Sequence, residues 1–465
     1  MTAVTALETE LRPRVSGELL LPGDPGYDEV RAIYNGIHDR RPAVIVRAEG
    51  NEDVAAAVAF ARLHDLPLAI RGGGHGVAGF ASCDDGVVVD LGAMRRIDVD
   101  VDRRLARAQG GCTWGDFNAA THAVGLATTG GVISTTGIGG LTLGGGLGYL
   151  NRPCGFSCDN LVAADVVTAD GALLTCSAGE NDDLFWALRG GGGNFGVVTA
   201  FEYRLHPAGE ILGGPIFFAL EGEVLLEIDR FIRAAPEQLG ALVGIALAPP
   251  LPFVPEEWHL KPVIGFIACW TGELDDGVEV LRPLEDLPVV GRGVGPMPYP
   301  VINTLFDELL PAGLRHYWKT HCVAEMSDEA VEVHLRHGAQ LPTLESGVFF
   351  FSLDGAPKRV PADATAVGFR DAAFSVVIAG TWHDPADDAP NIAWVRDYYD
   401  ALRPYAQEGV YVNFMADAVG GAARATYRDK YERLLAVKRR YDPENVFRLN
   451  QNIDPKQDGT TSPTV

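Results

Sequence analysis

The sequence is poor in basic side chains and in cysteine, and both shortages exclude classes of protein. Over 465 residues, lysine and arginine number 38 against 62 aspartate and glutamate residues, which gives a net charge of −24. Such a surface repels nucleic acid phosphates and anionic membranes, so neither is expected as a partner. The seven cysteines are sparse and odd in number, which does not fit a disulfide framework. A small-molecule enzyme fits this composition better.

Long apolar runs and a leader-like start are also missing. No apolar stretch approaches the length of a membrane span, and residues 1–10 have no cationic start followed by an apolar core. We therefore expect a cytoplasmic protein, as a monomer or a homodimer. Cys154 and Cys158 form a close pair without a second pair or a histidine cluster nearby, so no metal site is expected.

Glycine is abundant, at 55 residues, and its first cluster surrounds a single histidine. Residues 71–76 read Arg-Gly-Gly-Gly-His-Gly and follow an apolar run at 68–70, which predicts a loop at the end of a strand. A strand pattern at 43–46 and a helix capped by Asn51 complete a β-α-β unit with parallel strands. His75 then lies at a strand's carboxyl end, where open α/β structures carry their sites. Two interpretations remain open, a polar loop residue or a nucleophile that binds a ligand.

Two further glycine clusters follow. Residues 130–148 are too rich in glycine for a stable helix, because each interior glycine costs roughly 1 kcal/mol relative to alanine. They predict a loop whose amides wrap a phosphate. In the third cluster, Gly191, Gly193 and Gly196 match the pattern GxGxxG. A helix pattern precedes them and a strand pattern follows, which is the reverse of the nicotinamide dinucleotide fingerprint. We interpret them as a helix-to-strand turn or as a close approach of backbone to a ligand.

Beyond Pro207 prolines become frequent, and apolar runs alternate with acidic helical segments. This pattern predicts a second domain of mixed sheet and helices over residues 208–408. The strand-like runs are 263–268, 348–351 and 374–379.

The carboxyl-terminal segment begins with a predicted strand at 411–415. With the period of two of a strand, Tyr411 and Asn413 share one face. A helix that ends near Pro443 follows. The polar tail beyond Pro455 is expected to fray.

These clusters, together with Tyr411-Val412-Asn413 and with residues 441–447 (Tyr-Asp-Pro-Glu-Asn-Val-Phe), resemble the berberine-bridge-enzyme-like FAD-linked oxidases of the vanillyl-alcohol-oxidase superfamily. Within that family the likeness is greatest to bacterial members such as the hydroxynicotine oxidases. The resemblance covers the chain from about Leu21 to Ile453.

The resemblance implies an α+β fold with a two-part FAD-binding domain of the vanillyl-alcohol-oxidase type. Residues 1–207 and 409–465 would form that domain, and residues 208–408 would form an inserted mixed-sheet substrate domain. It also implies that His75 is joined covalently to the 8α-methyl group of FAD. A neutral imidazole nitrogen can attack that carbon when it is electrophilic.

A single covalent link is predicted. Some family members carry a second link from a cysteine just before the middle glycine cluster, but residues 132–137 read Val-Ile-Ser-Thr-Thr-Gly here. Cys154 and Cys158 lie too far along the chain to match that motif, although folding could bring a thiol near the ring. Thr136 stands where the family's oxygen-access residue is expected. The residues implied to bind FAD are Arg71, Gly72, Gly73, Gly74, His75, Gly76, Thr136, Gly137, Gly139, Gly140, Gly144, Gly145, Asn194, Val198, Tyr411 and Asn413.

Four residues are candidates for catalysis. Tyr411 is either a packed strand aromatic or a phenol beside the flavin that accepts a substrate proton, and Asn413 would orient substrate or flavin. Lys319, in a Tyr-Trp-Lys motif that resembles the family's, is either a sheet residue of the site or a surface lysine. Where many relatives carry a carboxylate, this chain has Ser352, with Asp354 two residues later. The general base is thus Tyr411, Asp354, or absent because the substrate loses its proton easily.

The expected activity is that of an FAD-dependent oxidase. It removes a hydride from an alcohol or amine carbon of a small, aromatic or secondary-metabolite substrate, and O₂ accepts the electrons to give H₂O₂. Two alternatives stay open. One is a dehydrogenase that uses another acceptor, and the other is a flavoprotein with reduced catalysis that binds a small molecule.

Overall fold

A computed structural model describes residues 7–417 and 422–457 of the chain. In these residues the strands form sheets of four, five and eight strands and a two-stranded ribbon. Helices alternate with the strands, so the predicted α+β architecture is confirmed. The tail for which fraying is expected lies outside the described residues from position 458 onward.

Strands and helices are numbered in chain order. The strands are β1 (Glu18–Leu20), β2 (Val44–Arg47), β3 (Leu68–Arg71), β4 (Val87–Asp90), β5 (Ile97–Asp100), β6 (Leu105–Gln109), β7 (Leu126–Ala127), β8 (Leu161–Val167), β9 (Leu173–Ser177), β10 (Val197–Arg204), β11 (His206–Pro207), β12 (Glu210–Ala219), β13 (Leu239–Leu247), β14 (Pro262–Trp270), β15 (Val289–Arg292), β16 (Gly295–Pro298), β17 (Arg315–Val323), β18 (Gly347–Ser352) and β19 (Phe374–Trp382). The α-helices are α1 (Tyr27–Arg31), α2 (Asn51–Leu63), α3 (Trp114–His122), α4 (Ile138–Leu143), α5 (Asn151–Cys154), α6 (Asp182–Leu188), α7 (Gly222–Ala234), α8 (Leu274–Leu281), α9 (Tyr299–Ile302), α10 (Asp328–Gly338), α11 (Ala356–Arg359), α12 (Asp388–Leu402), α13 (Ala422–Tyr427) and α14 (Tyr431–Tyr441).

The four-stranded sheet carries the first glycine cluster. Its order is β1-β2-β4-β3, and β2 and β3 each run parallel to β4, which lies between them. The predicted β-α-β unit with parallel strands is confirmed. The predicted cap is wrong, because Gly50 occupies the cap position and Asn51 is the first residue of α2. β3 lies at the edge of the sheet, and its carboxyl end leads into the loop that carries His75.

The third glycine cluster connects α6 to β10, the order that the sequence predicts. Gly190 and Gly192 have φ angles of +121° and +70°, which favour glycine over any residue with a Cβ. β10 is the central strand of the five-stranded antiparallel sheet, in the order β5-β6-β10-β8-β9. The cluster is therefore held between a buried helix and a central strand.

The middle glycine cluster contains a helix, which contradicts the expectation of a loop throughout. Residues Ile138–Leu143 form α4 despite two interior glycines. Ile138 and Thr142 are fully buried, and the Thr142 hydroxyl lies 2.7 Å from the Tyr203 hydroxyl. Tertiary packing outweighs the low helix propensity here, because most helix stability in proteins comes from a buried face.

The eight-stranded sheet is antiparallel at every pairing within the described residues, in the order β15-β12-β14-β13-β18-β19-β17, with β16 paired to β12. The three predicted strand runs lie in β14, β18 and β19. Helices α7, α10 and α12 cover one face, and Phe350 packs on that side. Because side chains alternate along a strand, Phe349 and Phe351 face the other way.

The carboxyl-terminal segment differs from the predicted strand at 411–415. Val412–Phe414 is a 3₁₀ turn, closed by a hydrogen bond of 3.1 Å from the Phe414 N–H to the Tyr411 carbonyl. The Ala416 N–H donates to the Trp318 carbonyl at 3.1 Å, which ties this segment to β17. The pattern at 411–415 was too short to distinguish a strand from a tight turn.

All seven cysteines carry free thiols. Across residues 7–417 and 422–457, no group of three or more histidine, cysteine or acidic side chains is arranged to hold a metal ion. No helix in that part of the chain is long and apolar enough to cross a membrane. The cytoplasmic location and the oligomeric state stay predictions.

Buried histidines are expected to make the stability of the protein depend on pH. Burial lowers the pKa of both His316 and His334 from the ordinary 6.5 to about 3. Below pH 6.5 the unfolded chain therefore binds protons that the folded chain excludes, so the free energy of unfolding falls as the pH drops toward 5. The slope approaches about 1.4 kcal/mol per pH unit for each histidine.

Urea unfolding at pH 7.5, 6.5, 5.5 and 5.0 measures this slope. The variant His334→Gln keeps a side chain that can hydrogen-bond to Tyr398 but does not titrate. In this variant the free energy of unfolding should change less steeply with pH, by the contribution of one histidine. An equal slope in the variant and the parent would contradict the assignment.

Candidate active site

A cavity of ≈ 330 Å³ lies between the glycine clusters and the face of the eight-stranded sheet that carries Phe349 and Phe351. One wall is mostly backbone and is lined by Gly72, Gly73, Gly74, Gly76, Gly110, Gly131, Gly137, Gly139, Gly140, Gly192, Gly193 and Gly196. The other wall is apolar and is lined by Leu242, Phe306, Leu310, Trp318, Phe349, Phe351, Val377 and Ala379. The three glycine clusters thus meet at one site, although they are far apart in sequence.

The glycine wall has the shape of a cradle for a ligand with phosphates. A Cβ on Gly73 would lie 2.3 Å from the Gly137 nitrogen, so the first two clusters touch backbone to backbone. At Gly140 and Gly193 a Cβ would meet no atom within 4 Å, so bare backbone borders the open cavity. Such backbone can approach a diphosphate or a planar ring closely. The Asn450 Oδ1 atom is buried and has no hydrogen-bond partner among the described residues, which leaves an acceptor for a bound ligand. These residues fit a flavin dinucleotide.

His75 lies partly exposed in the wall of this cavity. Its Nε2 atom is 2.8 Å from the Thr135 hydroxyl oxygen, and its Nδ1 atom is 3.4 Å from that of Thr136. Burial lowers the pKa of His75 to about 4. The imidazole is therefore neutral at physiological pH and keeps a nitrogen lone pair, which a covalent bond to a ligand requires.

Tyr411 and Asn413 meet at the junction of the two walls. The Tyr411 hydroxyl oxygen accepts hydrogen bonds from the Asn413 amide at 2.8 Å and from the Leu147 N–H at 3.3 Å. Burial raises the pKa of Tyr411 well above its ordinary value of 10, although the two donors act against this rise. The phenol is thus neutral at physiological pH. Because both donors point at its oxygen, its own O–H is available to donate.

Gly144 and Gly145 are not among the residues that line the cavity. A Cβ on Gly144 would lie 2.3 Å from the Asn413 Oδ1 atom, and one on Gly145 would lie 3.7 Å from the Tyr411 ring. Both glycines leave room for the side chains that reach the cavity. Their direct contact with FAD stays a prediction.

Lys319, a predicted catalytic residue, is not brought to the cavity. Along β17 the side chains alternate, so Trp318 lines the cavity while Lys319 lies on the face covered by α12. There its Nζ donates to the Asp417 carboxylate at 3.0 Å and lies 4.5 Å from the centre of the Tyr399 ring. The strand period thus directs this side chain away from the cavity, and the catalytic role of Lys319 stays a prediction.

Asp354, the other predicted base, also lies outside the lining of the cavity. Its carboxylate accepts a hydrogen bond of 2.8 Å from Arg152 Nε and one of 2.5 Å from the Ser352 hydroxyl. Ser352 is two residues from Phe350 and so belongs to the helix-covered face of β18. The strand-end position that resembles the family's carboxylate site therefore holds a structural ion pair here.

Two predicted cofactor residues organise loops without lining the cavity. Arg71 donates to the Val30 carbonyl. Asn194 is fully buried, donates to the Gly191 carbonyl at 2.9 Å and accepts from the Ile453 N–H at 3.0 Å. The predicted residues that do line the cavity are Gly72, Gly73, Gly74, His75, Gly76, Thr136, Gly137, Gly139, Gly140, Val198, Tyr411 and Asn413.

Several lining residues were not predicted. They include Phe306, Leu310, Glu345, Thr381, Phe414, Leu449, Asn450 and Gln451. Leu449 to Gln451 begin one residue after the motif at 441–447, so that motif could have pointed to them. The other residues carried no signal in the sequence. Isolated apolar residues cannot be told from ordinary core residues by sequence, and a single glutamate cannot be told from an ordinary surface residue.

The motif at 441–447 is explained by a buried ion pair. Lys438 and Asp442 have fully buried side chains and lie 2.7 Å apart. The Asp442 carboxylate also accepts from the N–H groups of Val446 and Phe447, and the Lys438 ammonium also donates to the Asn194 and Phe447 carbonyls. This network joins the carboxyl-terminal segment to the third glycine cluster.

Breaking this pair is expected to destabilise the protein strongly. Lys438→Met leaves the Asp442 carboxylate buried without its cation, which costs about 3–5 kcal/mol of unfolding free energy. Arg440→Met, on the same helix, removes an exposed ion pair with Asp183 and should cost less than about 1 kcal/mol. Urea unfolding of both variants measures the difference, and equal losses would contradict the structural role.

Comparisons with known proteins agree with this geometry. Residues 42–177 match the sequence family described as FAD binding domain, and residues 410–454 match the one described as berberine and berberine like. (R)-6-hydroxynicotine oxidase of Paenarthrobacter nicotinovorans is 31% identical over 463 residues, which are 95% of this chain and 97% of that protein. The FAD-linked oxidoreductase YgaK of Bacillus subtilis (strain 168) is 30% identical over 457 residues, which are 96% of this chain and 98% of that protein.

Solved structures share the fold. The crystal structure of 6-hydroxy-D-nicotine oxidase from Arthrobacter nicotinovorans matches with a TM-score of 0.85 at 29% identity, over 95% of this chain and 98% of that one. Glucooligosaccharide oxidase from Acremonium strictum, which carries a 6-S-cysteinyl, 8α-N1-histidyl FAD, matches with a TM-score of 0.85 at 23% identity, over 97% and 99%. The predicted resemblance is confirmed, and so is the vanillyl-alcohol-oxidase type of fold. This chain is an enzyme that belongs to the berberine-bridge-enzyme-like family of FAD-linked oxidoreductases.

Proposed function

We propose that this enzyme is an oxidase with FAD bound covalently through His75. It removes a hydride from an alcohol or amine carbon of a small aromatic substrate, and O₂ takes up the electrons to give H₂O₂. The observation that carries the proposal is the cavity itself. A glycine cradle with a neutral imidazole forms one wall, an aromatic sheet forms the other, and Tyr411 lies where they meet.

The proposed division of the chain follows the sheets. Strands β1 to β11 belong to the smaller sheets and the ribbon, whereas β12 to β19 form the eight-stranded sheet. We assign residues 1–207 and 409–465 to FAD binding and residues 208–408 to substrate binding. The ion pair between Lys438 and Asp442, which reaches the Asn194 carbonyl, supports the return of the last segment to the FAD side.

FAD supplies a two-electron acceptor for the hydride. The glycine backbone and Asn450 would hold it, and His75 would anchor it. A single link is favoured because neither Cys154 nor Cys158 is among the residues that line the cavity. Burial also raises the pKa of the Cys154 thiol to about 12 and raises that of Cys158 further, so neither thiol is a ready nucleophile.

The aromatic wall would bind the substrate and exclude water. Trp318, Phe349 and Phe351 offer flat apolar surface to a ring. The neutral Tyr411 hydroxyl can donate a hydrogen bond to the substrate's oxygen or nitrogen, held in place by Asn413. This arrangement favours an orienting role for Tyr411 over that of a general base. The relative that is named a hydroxynicotine oxidase supports a substrate that carries a ring and an amine.

Anaerobic bleaching of the flavin against a library of alcohols and amines tests the proposal. A true substrate should reduce the flavin without air and should release H₂O₂ when air is admitted. A flavin that is reduced but reoxidises slowly with O₂ would indicate a dehydrogenase. If no member of a broad library reduces the flavin, the binding-protein alternative gains support.

A further inference from the structure

The imidazole of His75 belongs to a stack of three rings with Tyr34 and His316. The Tyr34 ring stacks on His75 with a centroid distance of 3.8 Å and an angle of 18° between planes, and on His316 at 4.8 Å and 14°. The neighbours of His75 in sequence are Gly74 and Gly76, which have no side chains to restrain it. Without the stack the imidazole could turn about two side-chain bonds. The stack fixes its plane.

Tyr34 is itself held firmly. Its side chain is buried, and its hydroxyl donates to the Leu310 carbonyl at 2.9 Å. Its backbone N–H donates to the Gly74 carbonyl at 3.2 Å, and its carbonyl accepts from the Gly313 N–H at 2.9 Å. Tyr34 is therefore tied directly to the residue before His75 and to the loop that leads into β17. The ring is buried and stacks on His316 as well, so it presents a fixed face to the imidazole.

The edge of the His75 imidazole is also restrained. The Thr135 hydroxyl lies 2.8 Å from Nε2, whereas the Thr136 hydroxyl lies at the longer distance of 3.4 Å from Nδ1. When Nε2 carries the proton and donates it to Thr135, the lone pair lies on Nδ1. The shorter contact makes Thr135 the closer partner of the imidazole edge, and a hydrogen bond donated from Nε2 would leave Nδ1 as the nucleophile.

We propose that Tyr34 and Thr135 are positioning residues for the covalent attachment of FAD. Tyr34 holds the plane of the imidazole, and Thr135 keeps the proton on Nε2 so that Nδ1 forms the bond to the 8α carbon. One C–H bond of the 8α-methyl group and the imidazole N–H bond break as the C–N bond forms. The two protons and two electrons pass through FAD to O₂, which becomes H₂O₂. This inference rests on the proposed function, because it needs His75 as the anchor.

The rate of attachment tests the role of Tyr34. The full-length chain is produced under riboflavin limitation and incubated with FAD, and the flavin that stays with acid-precipitated protein is measured over time. Tyr34→Leu removes the ring and should slow attachment about tenfold, the value of one aromatic pair. Tyr34→Phe keeps the ring and loses only the hydroxyl, so it should attach FAD at nearly the parental rate.

Thr135 provides an independent matched pair, because its side chain is exposed and tolerates change. Thr135→Val removes the hydroxyl and should slow attachment about fivefold, the value of one hydrogen bond. Thr135→Ser keeps the hydroxyl and should behave like the parent. Equal rates for the valine and serine variants would overturn the role of Thr135.

Non-covalent binding of FAD separates positioning from general damage. In a His75→Ala background, Tyr34→Leu should leave the Kd for FAD unchanged within about twofold. The reason is that Tyr34 is proposed to act on FAD only through the imidazole, which this background lacks. A large loss of affinity there, or equally slow attachment in the leucine and phenylalanine variants, would overturn the inference. Parental attachment in Tyr34→Leu would overturn it as well while leaving the His75 anchor intact. If the parent itself carries no covalent flavin, the proposed anchor fails and the inference fails with it.

Discussion

His75→Ala is expected to leave the polypeptide without any covalently bound FAD. The imidazole of His75 is neutral and lines the cavity beside the glycine cradle, which is why it is proposed as the nucleophile that forms the link. Cys154 and Cys158 do not line the cavity, so no second link should remain in the variant. The measurement is flavin fluorescence of the denatured polypeptide on a gel, together with the mass of the intact chain. The variant should still bind FAD through the cradle, but should lose it on dialysis against denaturant.

The control for this variant is His64→Ala. His64 is a surface residue whose Nε2 lies 2.8 Å from Glu10, and it does not line the cavity. This substitution should leave the covalent flavin in place. Fluorescence that stays with the His75→Ala polypeptide would show that the link is elsewhere or that a second link exists.

Tyr411→Phe is expected to slow the reduction of the flavin by substrate by about 10²-fold. The loss of a pre-organised hydrogen-bond donor from a buried site has effects of this size. Reoxidation by O₂ should change little, because the hydroxyl is proposed to hold the substrate. Anaerobic stopped-flow reduction and aerobic reoxidation of the reduced enzyme measure the two steps separately.

Tyr398→Phe is a suitable control, since it removes a buried hydroxyl far from the cavity. The Tyr398 hydroxyl lies 2.7 Å from the His334 Nδ1 atom in the core beneath α12. This variant should have a lower free energy of unfolding, but its rates of flavin reduction and reoxidation should equal those of the parent. Equal effects of Tyr411→Phe on reduction and on reoxidation, or no effect on either, would remove Tyr411 from the proposed chemistry.

The sequence could predict those features that depend on local pattern. The β-α-β unit could be predicted because a short apolar run is followed by apolar residues at helical spacing and then by a second short apolar run. The place of His75 followed from it, since a glycine-rich loop after a parallel strand lies at the carboxyl end of the sheet. The order of helix, glycines and strand at the third cluster was also local, and it correctly excluded the nicotinamide dinucleotide fingerprint.

The errors arose where a distant contact outweighs local preference. Residues Ile138–Leu143 form a helix because the burial of Ile138 and Thr142 outweighs the cost of the glycines. The motifs around Lys319 and Asp354 also did not reveal their surroundings, because the first lies on the covered face of β17 and the second is paired with Arg152. A shift of one residue along a strand moves a side chain to the other face, and a motif does not record that difference.

The sequence by itself determined the class of enzyme, the cofactor and the identity of the glycine clusters, because these depend on residue types in a fixed order along the chain. Only the tertiary structure decided that Tyr34 stacks on His75, and that Tyr411 and Asn413 meet at the cavity although they do not lie in a strand. The ring stack joins segments tens of residues apart, and the cavity brings Tyr411 and Asn413 to glycine clusters hundreds of residues away. The geometry of these contacts depends on how the sheets pack against each other, which no local pattern specifies.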